Sequence, residues 1–304
     1  MSWTADHLPD LTGRRAVITG ANTGLGAVAA TTLARHGAEV VLAVRDPARA
    51  ADVAEAITAS GGRARVEALD LASQASVADF AARVAGPIDL LLNNAGVMAP
   101  PRWTATVDGH EVQFGTNHLG HFALTGLLLP RLLEAPAPRV TTVASIAHGR
   151  GDADVLQGNP RDSYDPQKSY GQSKLANLLF ADELQRRAGA AGSRLTSTAA
   201  HPGVSNTSLF TRREGMGSNW FVRTFGPLVM TLAVPGPERS ADALLHAAVV
   251  AGPGSYIGPT GPGEVRGAIG PARRSAAARD ADLARRLWER SEELTGVAYD
   301  LSGA

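Results

Sequence analysis

Tyr170 and Lys174 stand four residues apart, and this pair of side chains is suited to moving a proton. A spacing of four places both side chains on one face of a helix, about one turn apart. A free tyrosine titrates near pH ~10, too high to act as a base at neutral pH. We expect the Lys174 ammonium to lower the pKa of the Tyr170 hydroxyl, because a nearby positive charge favours the phenolate. The pair is therefore a candidate general acid and base.

A second pair, Tyr164 and Lys168, has the same spacing but contains Pro166. Because a proline inside a helix breaks it, this pair is not expected to share a helix face. Residues 170–188 form a long segment rich in leucine and alanine and predict a helix. The sequence therefore favours Tyr170 and Lys174 over the earlier pair.

Ser145 directly follows a predicted strand at residues 139–144. Its hydroxyl is placed to bind a substrate oxygen and to stabilise charge that develops there. Capping of a turn is the alternative role for a serine in this position. We include Ser145 with Tyr170 and Lys174 among the candidate catalytic residues.

A glycine-rich turn lies between a predicted strand at residues 15–19 and a predicted helix at residues 25–36. Its glycines permit a tight turn and let a phosphate approach the backbone at the positive N-terminus of the helix. A dinucleotide pyrophosphate fits this arrangement, and a glycine-rich turn without a ligand is the alternative. The candidate cofactor-binding residues of the turn are Gly20, Asn22, Thr23, Gly24, Leu25 and Gly26.

The second predicted strand, at residues 39–44, ends on Val44 and is followed by Arg45. A site that prefers NAD usually places an acid here to bind the ribose hydroxyls, and Val44 offers no such acceptor. The Arg45 guanidinium is suited to a 2′-phosphate instead. The sequence therefore predicts NADP(H) as the cofactor, while a solvated surface arginine is the alternative.

Short β-rich runs alternate with longer helical segments along the chain, which is typical of parallel strands joined by crossover helices. The predicted fold class is α/β, a single Rossmann-type doubly wound parallel sheet with helices on both faces, in one domain over residues 1–304. Strands are predicted at residues 15–19, 39–44, 65–69, 88–92, 139–144, 194–200 and 254–257, and helices at 25–36, 47–59, from 73, and at 110–133, 170–188 and 241–250. Insertions are expected at residues 205–235 and 259–271.

The composition is that of a globular protein, with 44% hydrophobic and 19% charged residues. The 29 basic residues are balanced by 29 acidic ones, which argues against nucleic acid as a partner and favours a small molecule. Cysteine is absent, so disulfides and thiolate chemistry are excluded. No signal peptide is recognisable, and no apolar run reaches the roughly 18 residues of a membrane span. We expect a cytoplasmic protein without a membrane span.

The motifs taken together resemble the short-chain dehydrogenase/reductase family over nearly the whole chain. They are residues 19–26, Asn93 to Gly96, Asn117, Ser145, Tyr170 with Lys174, and Pro202 with Gly203. Residues 117–122, 147–149 and 174–177 are similar to the retinol-dehydrogenase-like branch. This resemblance implies an alcohol dehydrogenase or carbonyl reductase, and relatives commonly form homodimers or homotetramers through their long helices.

The resemblance also implies roles for individual residues. Lys174 binds the nicotinamide ribose, and Asn117 helps to order water for a proton relay to this lysine, with a buried structural amide as its alternative role. Asp70 and Leu71 lie beside the adenine. Thr207 holds the nicotinamide carboxamide. Further cofactor-binding positions carried over from the family are Asn94, Ala95, Gly96, Pro202 and Gly203.

Four histidines, His118, His121, His148 and His201, raise the question of a metal site. Only the first two share a predicted element, and neither an acidic nor a third ligand accompanies them at a recognisable spacing. We predict no metal and expect packing or hydrogen bonding as the role of these side chains.

Residues 205–235 contain an unusually large number of apolar side chains for a connecting segment. A substrate lid that excludes water is one interpretation, and it favours a lipophilic alcohol or carbonyl substrate. An oligomer contact or a membrane-surface patch is the other interpretation.

The predicted function is an NADP-dependent oxidoreductase; its alternatives are an epimerase or dehydratase on the same fold and a non-catalytic NADP-binding sensor.

Overall fold

The computed structural model describes residues 3–203 and 237–302, apart from the side chains of residues 237–240. Within these residues the strands form one sheet in the order β3-β2-β1-β4-β5-β6-β7-β8. The strands are β1 (Arg15–Thr19), β2 (Glu39–Val44), β3 (Arg63–Ala68), β4 (Leu90–Asn93), β5 (Arg139–Val143), β6 (Thr196–Ala200), β7 (Tyr256–Pro259) and β8 (Ile269–Pro271). The predicted lid at residues 205–235 and Thr207 lie outside the described residues.

The strands β1 to β7 are parallel, as the sequence predicts. Strand β1 lies between β2 and β4, so the strand order reverses beside it. In open α/β sheets a crevice forms at such a reversal, outside the carboxyl ends of the strands, and ligands bind there. The sequence motifs that follow β1, β2, β4 and β5 are therefore brought to one edge of the sheet.

The last strand, β8, pairs antiparallel with β7 and was not expected. It lies in the segment 259–271, which we interpreted from its proline and glycine content as an insertion. Three residues at a sheet edge suffice for this pairing, and so short a strand leaves no alternation pattern to detect.

Helices cover both faces of the sheet. They are α1 (Gly24–Arg35), α2 (Ala51–Ala59), α3 (Gln74–Arg83), α4 (Val112–Phe114), α5 (Gly120–Leu133), α6 (Pro166–Ala190), α7 (Pro237–Val249) and α8 (Ala281–Thr295). Short 3₁₀ turns lie at Ala5–His7, Pro47–Ala50, Ile146–Arg150, Ala153–Gln157, Arg161–Ser163, Pro262–Glu264 and Ala277–Arg279. A π-turn at Gly115–Leu119 joins α4 to α5, so the helix predicted at residues 110–133 is not a regular α-helix. Such π-turns occur frequently at functional sites.

Pro166 begins α6 rather than interrupting a helix, which corrects the reason given above for rejecting Tyr164. Proline is tolerated at the first helical position because the N–H that it lacks would have no intrahelical partner there. The Asp165 carboxylate caps this end by accepting a hydrogen bond from the backbone N–H of Lys168, at 2.6 Å. Tyr164 therefore lies outside the helix, and its hydroxyl donates to the carbonyl of Pro100.

The C-terminal helix α8 was not predicted, and it packs against α6. Its Trp288 is 2% exposed and lies among the rings of Phe122 on α5, Phe180 on α6 and Tyr299. A Cβ atom at Gly126 would lie 2.7 Å from the Tyr299 ring, so glycine is needed where the C-terminal residues cross α5. Part of each long helix is thus covered by the chain's own C-terminus.

Candidate active site

A cavity of about 640 Å³ opens at the carboxyl ends of the central strands. Most of the predicted site residues line it, although they come from separate parts of the sequence. They are Gly20, Asn22, Thr23, Gly24, Leu25, Gly26, Arg45, Asp70, Leu71, Asn94, Ala95, Gly96, Ser145, Tyr170, Lys174, Pro202 and Gly203. Asn117 is buried behind the cavity wall, and Thr207 lies outside the described residues.

The glycine-rich turn after β1 has the backbone geometry of a phosphate cradle. Gly20 and Gly24 have φ angles of 67° and 56°, a region in which side chains with a Cβ are strained. A Cβ at Gly26 would lie 2.5 Å from the Asn94 amide nitrogen and 2.6 Å from the Gly20 carbonyl oxygen. The turn therefore admits only glycine at this position, and it presents the first turn of α1 to the cavity. These residues fit a dinucleotide pyrophosphate.

The cavity extends past the end of β2 to a pair of arginines. Arg45, Asp46 and Arg49 all line it there. The Asp46 side chain caps the following 3₁₀ turn by accepting a hydrogen bond from the Ala48 N–H, at 3.1 Å. Arg45 was predicted here and Arg49 was not, although the recurrence of arginine four residues after Arg45 was a visible signal. The two guanidiniums make this end of the cavity suited to an anionic group.

The loop after β4 forms one wall of the cavity and is anchored on Thr19. The Thr19 hydroxyl oxygen accepts hydrogen bonds from the backbone N–H groups of Asn94 and Ala95, both at 2.9 Å. The Asn94 side-chain amide donates to the Thr19 carbonyl at 2.7 Å. This part of the wall is held by hydrogen bonds between two side chains, those of Thr19 and Asn94, and the backbone of the neighbouring segment, so its shape is fixed by the fold around β1.

Asn117 lies in the π-turn and holds the next part of the same loop. Its side-chain oxygen accepts from the Val97 N–H at 2.8 Å, and its amide donates to the Val97 carbonyl at 2.9 Å. The amide also donates to the Ser173 hydroxyl at 3.0 Å. This side chain is therefore a buried, fully bonded amide that connects the cavity loop to α6. The ordering of a relay water by Asn117 stays a prediction.

Lys174 projects from α6 into the cavity wall, and its ammonium donates to the Val143 carbonyl at 3.0 Å. The same carbonyl also accepts from the Asn177 amide at 2.9 Å. Burial lowers the pKa of Lys174 to about 8, because the interior disfavours the charged form. The lysine is thus held at the end of β5, and its pKa lies close to neutral pH.

Tyr170 and Lys174 are brought together as the four-residue spacing predicts, with the ammonium 5.8 Å from the centre of the tyrosine ring. The expected direction of the tyrosine pKa is wrong, however. Burial raises the pKa of Tyr170 to about 12, while a hydrogen bond with Ser145 acts to lower it. Burial disfavours the phenolate, so the resting tyrosine is protonated, which is the state from which a proton can be donated.

Ser145 has the capping role that the sequence left open, and its position in the cavity is compatible with the other role, binding of a substrate oxygen, which stays a prediction. It caps the turn Ile146–Arg150, with its hydroxyl oxygen accepting from the Ala147 N–H at 3.2 Å. It also lines the cavity beside Tyr170. Because the oxygen accepts the capping bond, the hydroxyl proton remains available as a donor within the cavity.

The histidines are engaged in hydrogen bonds that support the surrounding turns. His148 donates from Nδ1 to the Ser145 carbonyl at 2.7 Å and accepts from the Ser275 N–H at 3.2 Å. Buried His118 contacts the Ser291 hydroxyl at 2.8 Å, which joins the π-turn to α8. Among residues 3–203 and 237–302 no group of three or more potential metal ligands is present.

Other residues of the cavity were missed by the sequence reasoning. Several of them are apolar or long-chain residues whose types alone carry no chemical signal, and only the fold brings them beside Tyr170. They include Val97, Met98, Thr116, Ile146, Ala147, Arg150 and Gln167.

A Rossmann-type sheet, a glycine cradle and a Tyr-Lys-Ser cluster in one cavity define a dinucleotide-binding oxidoreductase. The family model of the short chain dehydrogenases matches residues 14–216. The chain belongs to this family, in its retinol-dehydrogenase-like branch. It is 40% identical over 292 residues to retinol dehydrogenase 13 from Homo sapiens, covering 94% of this chain and 85% of the relative.

Three further proteins are similar to this chain. Polyprenol dehydrogenase from Mus musculus is 42% identical over 305 residues, which cover 95% of this chain and 86% of the relative. A crystal structure of an uncharacterised protein from Mycobacterium paratuberculosis has a TM-score of 0.83 and 45% identity, and covers 99% of this chain and 100% of its own. A short chain dehydrogenase from Shigella flexneri, complexed with NADP, has a TM-score of 0.54 and 25% identity over 66% of this chain and 82% of its own.

No helix in the described part of the chain is both long and apolar enough to cross a membrane.

Burial of Lys174 leads to a prediction about stability. Its pKa of about 8 in the folded chain lies below the ordinary 10.5, so the unfolded chain binds more protons between these values and the free energy of unfolding rises with pH across that window. We expect Lys174→Met to raise the free energy of unfolding at pH 7, by on the order of 3 kcal/mol at most. Asn177 still satisfies the Val143 carbonyl in this variant.

The measurement is the melting temperature of both proteins between pH 7 and 10. The excess stability of Lys174→Met over wild type should shrink as the pH rises above about 8. A variant that is less stable than wild type at pH 7, with a difference that does not change with pH, would contradict the assigned burial cost.

Proposed function

We propose that this chain is an NADP-dependent oxidoreductase that transfers a hydride between nicotinamide and a lipophilic alcohol or carbonyl compound. The observation that carries the proposal is the convergence of Tyr170, Lys174 and Ser145 in the cavity that also holds the glycine cradle. A protonated tyrosine beside a serine donor is what carbonyl reduction requires. A non-catalytic NADP-binding sensor does not need these three side chains together.

The residues have separate roles in the direction of reduction. Bound NADPH supplies the hydride. Ser145 donates a hydrogen bond to the substrate oxygen and stabilises the negative charge that develops on it. Tyr170 transfers its hydroxyl proton to this oxygen, so that the carbonyl becomes an alcohol. Lys174, whose ammonium lies 5.8 Å from the tyrosine ring centre, stabilises the resulting phenolate and binds the nicotinamide ribose.

The preference for NADP is supported by the two arginines that line the cavity beyond β2, Arg45 and Arg49. A guanidinium binds a phosphate through charge-assisted and often bidentate hydrogen bonds. The described wall at this end contains Asp46 as well, but its carboxylate is engaged by the Ala48 N–H. We therefore assign Arg45, assisted by Arg49, to the 2′-phosphate.

The lipophilic substrate is supported by two observations of different kinds. Val97, Met98 and Ile146 line the cavity in which Tyr170 stands. The relatives described above are named for retinol and polyprenol, which are both apolar alcohols. The proposal that residues 205–235 close over this substrate concerns a segment outside the described residues.

The activity is tested by an NADPH-coupled screen over lipophilic aldehydes, ketones and alcohols. We expect consumption of NADPH in proportion to the alcohol that forms. Product formation without net NADPH consumption would indicate an epimerase or dehydratase. Tight NADPH binding without turnover on the whole panel would indicate a sensor.

Cofactor preference is tested by Arg45→Asp. Loss of the guanidinium and repulsion by the new carboxylate should weaken NADPH binding by about tenfold to a hundredfold, the value of one or two charge-assisted hydrogen bonds. NADH binding should change little or improve. The measurement is the dissociation constant of each dinucleotide by calorimetry.

Arg63→Asp is the matched control. Arg63 is exposed and begins the neighbouring parallel strand β3, so it lies at the amino-terminal edge of the sheet, opposite the cavity. It makes the same change in charge away from the cavity. An Arg45→Asp protein that keeps the wild-type ratio of affinities would remove Arg45 from the phosphate site.

A further inference from the structure

His121, at the start of α5, is fully buried and bonded at both ring nitrogens. Its Nδ1 lies 2.9 Å from the Asn117 carbonyl oxygen, and its Nε2 lies 2.9 Å from the Thr19 hydroxyl oxygen. The residue touches neither end of the Tyr170–Lys174 pair in these bonds. The mechanism above does not use it.

The partners of His121 determine which nitrogen carries the proton. A carbonyl oxygen can only accept a hydrogen bond, so Nδ1 must donate to Asn117. The Nε2 of a neutral ring is then an acceptor, so the Thr19 hydroxyl donates to it at 2.9 Å in preference to the Leu92 carbonyl oxygen, which lies farther away at 3.3 Å. Burial lowers the pKa of His121 to about 4, which keeps the ring neutral at physiological pH. The bonding pattern and the protonation state agree.

This tautomer determines the direction of a longer chain of hydrogen bonds. Because the Thr19 hydroxyl gives its proton to His121, its oxygen is free to accept from the N–H groups of Asn94 and Ala95. At the other end, the Asn117 side chain holds both backbone groups of Val97. His121 therefore joins the two anchors that hold successive parts of the cavity loop.

His121 is hydrogen-bonded to both anchors. Thr19 belongs to β1, whereas Asn117 belongs to the π-turn, and the structure shows no direct hydrogen bond between them. A fixed distance between the two is needed because Asn94, Ala95 and Gly96 all line the cavity at its cofactor wall. A shift of either anchor would move that wall, and remote displacements of this kind are costly to binding and catalysis.

We propose that His121 is a positioning residue, a neutral Nδ1-protonated imidazole that ties Thr19 to Asn117 and thereby fixes the loop 94–97 for the dinucleotide. This inference rests on the proposed function, since the loop is assigned to the cofactor there.

The experiment compares the dissociation constant of NADPH for wild type, His121→Phe, His121→Asn and His118→Phe. Phenylalanine at 121 keeps an aromatic ring and removes both hydrogen bonds, so the side-chain bridge between Thr19 and Asn117 is lost and NADPH binding should weaken about tenfold or more. Asparagine restores a donor on the Nδ1 side and should recover part of the affinity. His118 lies in the π-turn and contacts Ser291, so His118→Phe should lower the melting temperature and leave the affinity unchanged.

A spectroscopic measurement separates this role from simple packing. Nitrogen-15 spectra of the imidazoles at pH 7 should show, for the histidine whose signal is lost in His121→Phe, a protonated Nδ1 and an unprotonated Nε2. A protonated Nε2 would overturn the assigned bridge. Such a spectrum does not depend on cofactor binding.

The remaining outcomes distinguish the two proposals. If wild type binds neither NADPH nor NADH, the proposed function fails and the positioning role fails with it. If wild type binds NADPH and His121→Phe binds it equally well, or if His118→Phe weakens binding as much, only the role of His121 is overturned.

Discussion

Tyr170→Phe is expected to lower kcat for carbonyl reduction by a factor of about a thousand, the middle of the range for a lost general acid. The variant keeps the aromatic ring and removes only the hydroxyl that donates the proton. Ser145 and Lys174 keep their own partners, the Ala147 N–H and the Val143 carbonyl. The affinity for NADPH should therefore remain within a few fold of wild type, and the loss should fall on kcat.

Tyr164→Phe is the matched control, since it removes a hydroxyl from the tyrosine of the rejected pair. Tyr164 lies before α6 and donates to the Pro100 carbonyl at 2.8 Å. We expect a small loss of stability and nearly normal turnover. Steady-state kinetics on the first substrate found by the screen measure both variants. Nearly normal turnover by Tyr170→Phe, or an equal loss in Tyr164→Phe, would exclude Tyr170 as the acid.

Trp288→Ala is expected to have the largest effect on stability, at about 3 to 5 kcal/mol for truncation of a buried tryptophan. The ring centre lies 4.6 Å from that of Tyr299, 5.1 Å from that of Phe122 and 5.8 Å from that of Phe180. The Arg187 guanidinium also lies 4.6 Å from the ring. Removing the side chain opens a cavity where α8, α5 and α6 meet, and these helices cannot close it without moving.

The free energy of unfolding in urea measures this effect, with Trp103→Ala as the control. Trp103 is partly exposed and donates one hydrogen bond to the Asn159 carbonyl, so its truncation should cost clearly less. Trp288→Phe, which keeps an aromatic ring, should fall between wild type and the alanine variant. Equal losses in Trp288→Ala and Trp103→Ala would show that α8 does not contribute to the core as described.

The position of Trp288 also bears on the expected homodimer or homotetramer. Part of the surface of α5 and α6 is already covered within one chain, because Phe180 of α6 packs against Trp288 of α8 and Gly126 of α5 lies against Tyr299. An oligomer built on the long helices would have to use their remaining surface. Oligomerisation stays a prediction.

The central strands were predictable because they are buried on both faces. Residues 16–18 and 40–44 form continuous apolar runs, and the observed β1 and β2 have the predicted bounds, 15–19 and 39–44. The glycine turn, Arg45, Ser145 and the Tyr170–Lys174 pair follow strands or share a helix face, so chain geometry alone brings them to the same edge of the sheet. This is why the local motifs placed most of the candidate site.

The C-terminal helix carried signals that were overlooked. Asp280 accepts a capping hydrogen bond from Leu283, Gly296 has a left-handed conformation after the last turn, and Leu283, Leu287 and Trp288 recur at helical spacing. The acidic and basic residues between them resemble a solvated segment. The amphipathic pattern of residues 281–295, together with these caps, predicts this helix.

Other features depend on tertiary contacts that no local pattern contains. The π-turn forms where Asn117 must bond both Val97 and Ser173, and its residues have no distinctive propensity. The raised pKa of Tyr170 and the lowered pKa of Lys174 both arise from burial, which is decided by residues distant in sequence. The expectation of a lowered tyrosine pKa considered only the neighbouring charge.

The central claim, hydride transfer with Tyr170 as the acid, is tested most directly by isotope transfer. Wild type and Tyr170→Phe would each be incubated with retinal or a long-chain aldehyde and NADPH that carries deuterium at nicotinamide C4, on each face in separate preparations. We predict one deuterium on the carbinol carbon of the alcohol from wild type with one of the two preparations, and almost no product from the variant. Alcohol without deuterium from both preparations, or equal labelled product from both proteins, would contradict the account.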